Sequence, residues 1–163
     1  MTFIIKDGLV GHQAIADTST TQKHPLGTIV KAVDPTYGEG EFIYLSGVAS
    51  TVVGSWVTVH EDGFTTTLLA ANDIGRVAIA MSINVASQYG WYQISGKGVG
   101  KVAASFADNG LVYATATAGT IDDAVVAGDR VKKAIGASAI DTPSTGLAEM
   151  EIDRPFMDDA TAA

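Results

Sequence analysis

The stretch most suggestive of chemistry is Gly96-Lys-Gly-Val-Gly-Lys101, whose glycines and lysines invite a phosphate-binding loop. The detail argues against it. A P-loop requires Gly, four residues, then Gly-Lys-Ser/Thr; here Val102 follows Gly100-Lys101, and Ser95 stands where the first Gly belongs. The dinucleotide fingerprint needs a third Gly at position 101, which is Lys. Neither motif is followed by a helix whose N-terminal N–H groups would hold an anion. His12, His24 and His60 lie far apart, without the close pairs of a zinc site, and His60 beside Glu61-Asp62 reads as a solvated turn. Asp122-Asp123 and Asp158-Asp159 are adjacent pairs, which on a strand face opposite ways and make no acid–base dyad. There is no Gly-x-Ser-x-Gly elbow. The absence of cysteine excludes disulfides, thiolate metal sites and a Cys nucleophile. The chain therefore reads as a non-enzyme with no catalytic residue, no cofactor and no metal. Trp56, Tyr89, Trp91 and Tyr92 could stack on a sugar, but aromatic residues in strands are more often core and interface.

Charge narrows the partners. Ten Lys and Arg against 18 Asp and Glu give a net charge of −8. The basic residues are scattered singly apart from Arg130, Lys132 and Lys133, so no patch exists to displace phosphate counterions, and nucleic acid is not an expected partner. No window approaches the roughly 18–20 continuous apolar residues of a membrane span, and Met1–Asp7 is expected to be neither signal nor anchor. Charged residues make up 17% of the chain, below the usual quarter, while Ala, Val, Thr, Ser and Gly abound. That balance suits an all-β protein with much surface meeting other protein.

The elements that must position these residues are strands. Val77, Ile79, Met81 and Ile83 alternate with Ala78, Ala80 and Ser82, a period of two that predicts a strand with one face in a core. After a polar break at Asn84–Tyr89, Gly90–Gly96 is a second strand, and the two form a long hairpin. Gly96, Gly98 and Gly100 share one face of any strand, leaving it bare for close approach or a bend. Further strands are expected over 27–33, 41–48, 55–60, 64–70, 111–114, 130–140 and 147–154, the last at a sheet edge and ended by Pro155. Phe42 and Tyr44 alternate with Ile43 and Leu45, so that strand is covered on both faces. Asp34-Pro35, Asp62-Gly63 and Asn109-Gly110 mark turns. Only 68–73 and 121–127 are candidates for helix. The fold class is all-β: an antiparallel barrel or sandwich of short strands with an extended N-terminal arm. Residues 1–26 lack any period and form the arm or an irregular edge, 27–157 the β-rich body, and 158–163 a flexible acidic tail.

The central segment resembles a known family. Gly75-Arg-Val-Ala-Ile-Ala-Met, then Gln88-Tyr-Gly-Trp-Tyr-Gln-Ile-Ser-Gly96, preceded by His24-Pro-Leu-Gly-Thr-Ile-Val-Lys-Ala and Gly40-Glu-Phe-Ile-Tyr-Leu, is similar to the decoration (cement) proteins of tailed-bacteriophage capsids. The resemblance covers residues 23–104 and leaves the part after Asp108 unmatched. It implies a structural virion protein, usually a homotrimer, made in the host cytoplasm. It would sit on the outer capsid surface, bind the major capsid protein and clamp neighbouring capsomers against the pressure of packaged DNA. The expected contact residues are Phe3, Ile4 and Ile5 of the arm and the exposed parts of Tyr89, Trp91 and Tyr92. Deleting residues 1–26 is then expected to leave a folded body that binds capsids poorly. The alternative is a carbohydrate- or receptor-binding β-module of a phage fibre or tail.

Overall fold

The computed structural model describes residues 2–5 and 11–159. They form an antiparallel all-β structure of twelve strands, with no helix among the described residues. The strands are β1 (Ile4–Ile5), β2 (Thr18–Ser19), β3 (Ile29–Asp34), β4 (Gly38–Ser46), β5 (Trp56–Val59), β6 (Thr66–Leu68), β7 (Gly75–Ala80), β8 (Tyr89–Lys101), β9 (Leu111–Ala114), β10 (Ile121–Asp122), β11 (Arg130–Gly136) and β12 (Leu147–Met157). Both segments considered for helix are otherwise: Leu68 ends β6 before a turn, and Ile121 opens the two-residue β10 before a loop.

Strand β8 changes neighbours along its length and so joins two halves of one continuous twelve-stranded sheet, termed the first and second sheet. Its first half lies between β4 and β7, with Ile43 opposite Tyr92 and Ile79 opposite Gln93. Its second half pairs with β12, from Ser95 opposite Asp153 to Lys101 opposite Leu147. Beyond β12 the second sheet continues through β11 and β9 to β10. An isolated parallel bridge from Val102 to Ile121 ties the end of β8 to β10, but the strand ladder does not close into a barrel.

Side-chain alternation explains the layering. On the first sheet Ile43, Leu45, Tyr92, Ile94, Ala78, Ala80, Val57 and Val59 share one cluster. The β5–β6 hairpin curls back over it: Ser46 N–H donates to Phe64 C=O (3.3 Å) and Thr66 Oγ1 donates to Ser46 C=O (2.9 Å). The intervening residues point the other way. Phe42, Tyr44 and Trp91 pack with Phe3, Ile15, Val30 and Ala32. Val77, Ile79 and Trp56 pack with Met150, Ile152 and Val131 of the second sheet and with Phe106 of the loop between β8 and β9. So β4 is covered on both faces, as its double apolar pattern required. β7 is also buried on both faces rather than one, because small Ala78 and Ala80 pack into the curl, while Ile83 beyond it is exposed.

The three alternate glycines of β8 face inward, opposite buried Ile152, Met150 and Ala148. Gly96 has φ +100°, and a Cβ there would lie 2.6 Å from the Glu39 carbonyl oxygen, so this is where β8 bends against β4. At Gly98 a Cβ would overlap the Gln93 side-chain oxygen, and at Gly100 it would lie 2.7 Å from Trp56 Nε1. The bare face therefore seats a backbone turn and two side chains.

Three expectations about the C-terminal part are corrected. β12 is not an edge strand; it lies between β11 on one side and β8 and β7 on the other. Nor does Pro155 end it. The register against β11 shifts between Ala134–Ile152 and Lys132–Phe156, and Lys133 and Arg154 both adopt positive φ. Such a bulge leaves a place where no ladder N–H is needed, and the strand resumes to Met157. Strand β11 ends at Gly136 rather than 140.

Gly100→Ala should press a methyl into the Trp56 indole, which is walled on all sides and has nowhere to move. The expected loss is about 1–3 kcal/mol, at roughly 2–4 °C per kcal/mol in thermal unfolding. A variant as stable as the parent would show that the indole does not rest on this glycine.

Candidate functional site

Among the described residues those with chemical promise build no metal-holding cluster, though His12 comes near enough to His24 to act on it. The glycine–lysine stretch is the second half of β8, a strand, not a loop before a helix. Lys97 is paired with Glu149 at 2.7 Å. His60 is exposed and shares a 3.2 Å hydrogen bond with Thr67 Oγ1. His24 is buried between the rings of Tyr44 and Trp91, at 5.1 and 5.4 Å between centroids. Among the described residues no three of His, Asp and Glu come together in a way that could hold a metal ion. Asp122 Oδ1 accepts the Asp123 N–H, and Asp123 Oδ2 accepts the Ala107 N–H, so both carboxylates cap turns. Asp158 pairs with Lys132; residues 160–163 of the expected acidic tail lie outside the described residues.

The candidate interface residues separate into buried and exposed sets. Trp91 and Tyr92 have no accessible surface and so cannot expose part of their rings. The same holds for Trp56, which leaves only half-buried Tyr89 of the four aromatics considered for sugar stacking. Phe3 is buried, edge-on to Phe42 at 4.8 Å and stacked on Tyr37 at 6.4 Å. Ile4 is 60% exposed and Ile5 partly so. The reason is the β1–β3 pairing: with Ile4 opposite Val33 and Ile5 opposite Ala32, β1 is a strand of this body and its residues alternate in and out.

The described part of residues 1–26 is thus no free arm. It closes over Trp91, and one residue that carries no sequence signal holds it there. Gln13 is buried and uses every hydrogen-bonding group it has. Its Nε2 donates to the carbonyls of Asp17 (2.7 Å) and Tyr89 (3.0 Å). Its Oε1 accepts the Tyr44 hydroxyl (2.8 Å). Its backbone N–H donates to His24 Nε2 (3.1 Å), and its carbonyl accepts Trp91 Nε1–H (2.8 Å). The Trp91-x-Gln93 pattern also acquires a structural meaning. Trp91 ties the N-terminal segment to β8, and Gln93 Nε2 bridges the carbonyls of Ser95 (3.2 Å) and Lys97 (3.0 Å) across the bend.

What the surface offers is apolar contact. Ten large apolar side chains are exposed among the described residues, led by Val125 (79%), Ile74 (69%), Ile4 and Ile83. Of these, only Ile4 stands among the contact residues expected from the sequence. The rest sit in runs such as Ile121–Val126 that look like core, and only the turn after Asp122 reveals that Val125 points out. One small apolar recess, of about 60 Å³, opens where β8 and β12 part around β7; it is lined by Ile29, Ile43, Val59 and Ile94 and rimmed by Arg76 and Arg154. Comparison with protein-family models, curated proteins and solved structures found no match.

Two tests follow from the N-terminal closure. Phe3→Ala should destabilise the whole body by about 3 kcal/mol, the usual result of emptying a buried aromatic site, rather than leave it intact. Urea unfolding would read it, and an unchanged midpoint would restore the free-arm description. The second is a pH effect. Burial, reinforced by His12, holds the His24 imidazole below its ordinary value of 6.5. The unfolded chain then takes up this proton at higher pH than the folded one, so stability should fall as pH drops below about 6.5. His24→Asn keeps an acceptor for Gln13 N–H and should flatten that part of the profile; an unaltered slope would assign it to another group.

Proposed function

We propose that the protein is a structural virion component, a decoration protein of a tailed-phage capsid that binds the outer face of the major capsid protein shell and clamps neighbouring capsomers. It acts by adhesion, not catalysis, as a self-associating unit, most simply a homotrimer, and would be made in the host cytoplasm before joining the head.

The observation that carries this reading is the central strand. The residues that resemble the cement proteins, Gln88–Gly96, are the ones around which the body is packed, and Trp91 and Gln93 within them serve architecture alone. The surface agrees. It presents apolar side chains on several faces and a net charge of −8, which disfavours contact with packaged DNA. A rigid body with many separate apolar contacts suits a clamp: each burial contributes about 25 cal/mol per Å², and repetition over a shell converts modest contacts into avidity.

The test is cosedimentation of the purified protein with expanded heads assembled from the cognate major capsid protein. Saturable, stoichiometric binding that raises the temperature at which the heads rupture is expected. Heads that pellet without the protein, or rupture unchanged with it bound, would overturn the proposal.

A further inference from the structure

Among the apolar features of the surface, one projection and one recess carry flanking charges of opposite sign. The projection is the loop after β10. Ala124, Val125, Val126 and Ala127 are exposed in succession. The loop is anchored at both ends. At its start Asp123 Oδ2 accepts the Ala107 N–H (3.1 Å). At its finish Asp129 Oδ1 accepts the Asn72 N–H (2.6 Å), and the Asp129 carbonyl accepts the Ala114 N–H (2.8 Å). The two valines are therefore held out by a fixed base. Asp122 and Asp123 flank them on one side, and Asp159 lies against Gly128 on the other. Among the described residues none of these three carboxylates is paired with a cation.

The recess is the one at the fork of β8 and β12. Its walls are mainly apolar, and its volume of about 60 Å³ has room for a small apolar group such as the branched end of one valine. Its rim carries Arg76 and Arg154. Arg154 is tied to Glu41 at 2.6 Å, whereas Arg76 is exposed and has no ion-pair partner among the described residues. An apolar knob flanked by unpaired carboxylates and an apolar socket with the unpaired Arg76 guanidinium at its rim are complementary in charge.

We propose that the Val125–Val126 knob of one copy docks on this socket of a second copy, one branched end entering the recess, with Asp122 and Asp123 facing Arg76 at the rim. Knob and socket are different surfaces of the chain, so the contact is heterologous. Repeated, it closes into a ring or extends as an open chain, depending on the rotation it imposes. The contact deepens the self-association part of the proposed function and rests on that part alone, not on what the assembly is mounted on.

Sedimentation velocity at micromolar concentration tests it with three proteins. The parent should associate. A knob variant, Val125→Asp with Val126→Asp, should be monomeric, and so should a socket variant, Ile29→Arg, which places a bulky cation on the exposed wall. Both changes fall on exposed side chains, and circular dichroism confirms that the variants fold. An equimolar mixture of the two variants should then form a two-chain species, because each retains the half that the other has lost. A monomeric parent, variants that associate like the parent, or a mixture that stays monomeric would each overturn the contact. No heads are present, so failure here leaves capsid adhesion standing, and failure of cosedimentation leaves this contact standing.

Discussion

The whole arrangement depends on a strip of strand without side chains. β8 can serve two sheets only if something fills the inner corner where it turns from one to the other, and that corner lies over Gly96, Gly98 and Gly100. Because those residues have no Cβ, the Trp56 indole and the Gln93 amide lie directly on the backbone. Gln93 then returns two hydrogen bonds to the carbonyls on either side of the bend. An alanine at any of the three would not merely crowd a core. It would push on the element that decides where the first sheet ends and the second begins, since Trp56 belongs to β5 and Gln93 to β8 itself.

The second dependence is polar. The face of β4 and β8 that carries Phe42, Tyr44 and Trp91 would be an exposed aromatic surface without the N-terminal segment. That segment supplies little regular structure, only the two-residue strands β1 and β2, so ladder bonds cannot hold it. Gln13 does so instead by bonding to five groups in four separate places along the chain. A buried amide with every group satisfied is directional where apolar packing is not, and it fixes one register of an otherwise slippery segment. Its loss would take the amide donor from the Asp17 and Tyr89 carbonyls and the acceptor from the Tyr44 hydroxyl at once.

Local pattern carried much of this fold, and long-range partnership carried the rest. Alternation identified β4 and β7, the Asn109-Gly110 turn located β9, and the every-second-residue glycines marked the bend. In each case the cause lies within a few residues. The errors have non-local causes. Pro155 looked like a terminator because a proline removes a ladder donor, but the bulge that tolerates it is made with Lys133 on another strand. The N-terminal residues looked like an arm because aperiodic polar sequence has no internal signal, and what orders them is a tryptophan 78 residues away. Trp91 and Tyr92 looked partly exposed because one strand pattern cannot reveal that both its faces are covered. Gln13 was invisible for the same reason: nothing in its neighbours announces five hydrogen bonds.

The distribution of side-chain types bears on what such a body can do. Several residues able to move protons or bind ions serve structure: His24 accepts a backbone bond, Asp34 caps its turn through the N–H groups of Thr36 and Tyr37, and Lys97 and Glu149 neutralise each other. The exposed apolar side chains are spent on nothing within the chain. Each contributes little to the stability of the folded state and loses free energy to water while it remains exposed. Held on fixed strands and anchored loops, they pay little ordering entropy when a partner covers them, which is where flexible adhesive segments lose most of their affinity. A fold that buries both faces of its central strands, yet leaves isoleucines and valines outside on stiff supports, has already lost the ordering entropy that covering them would otherwise cost.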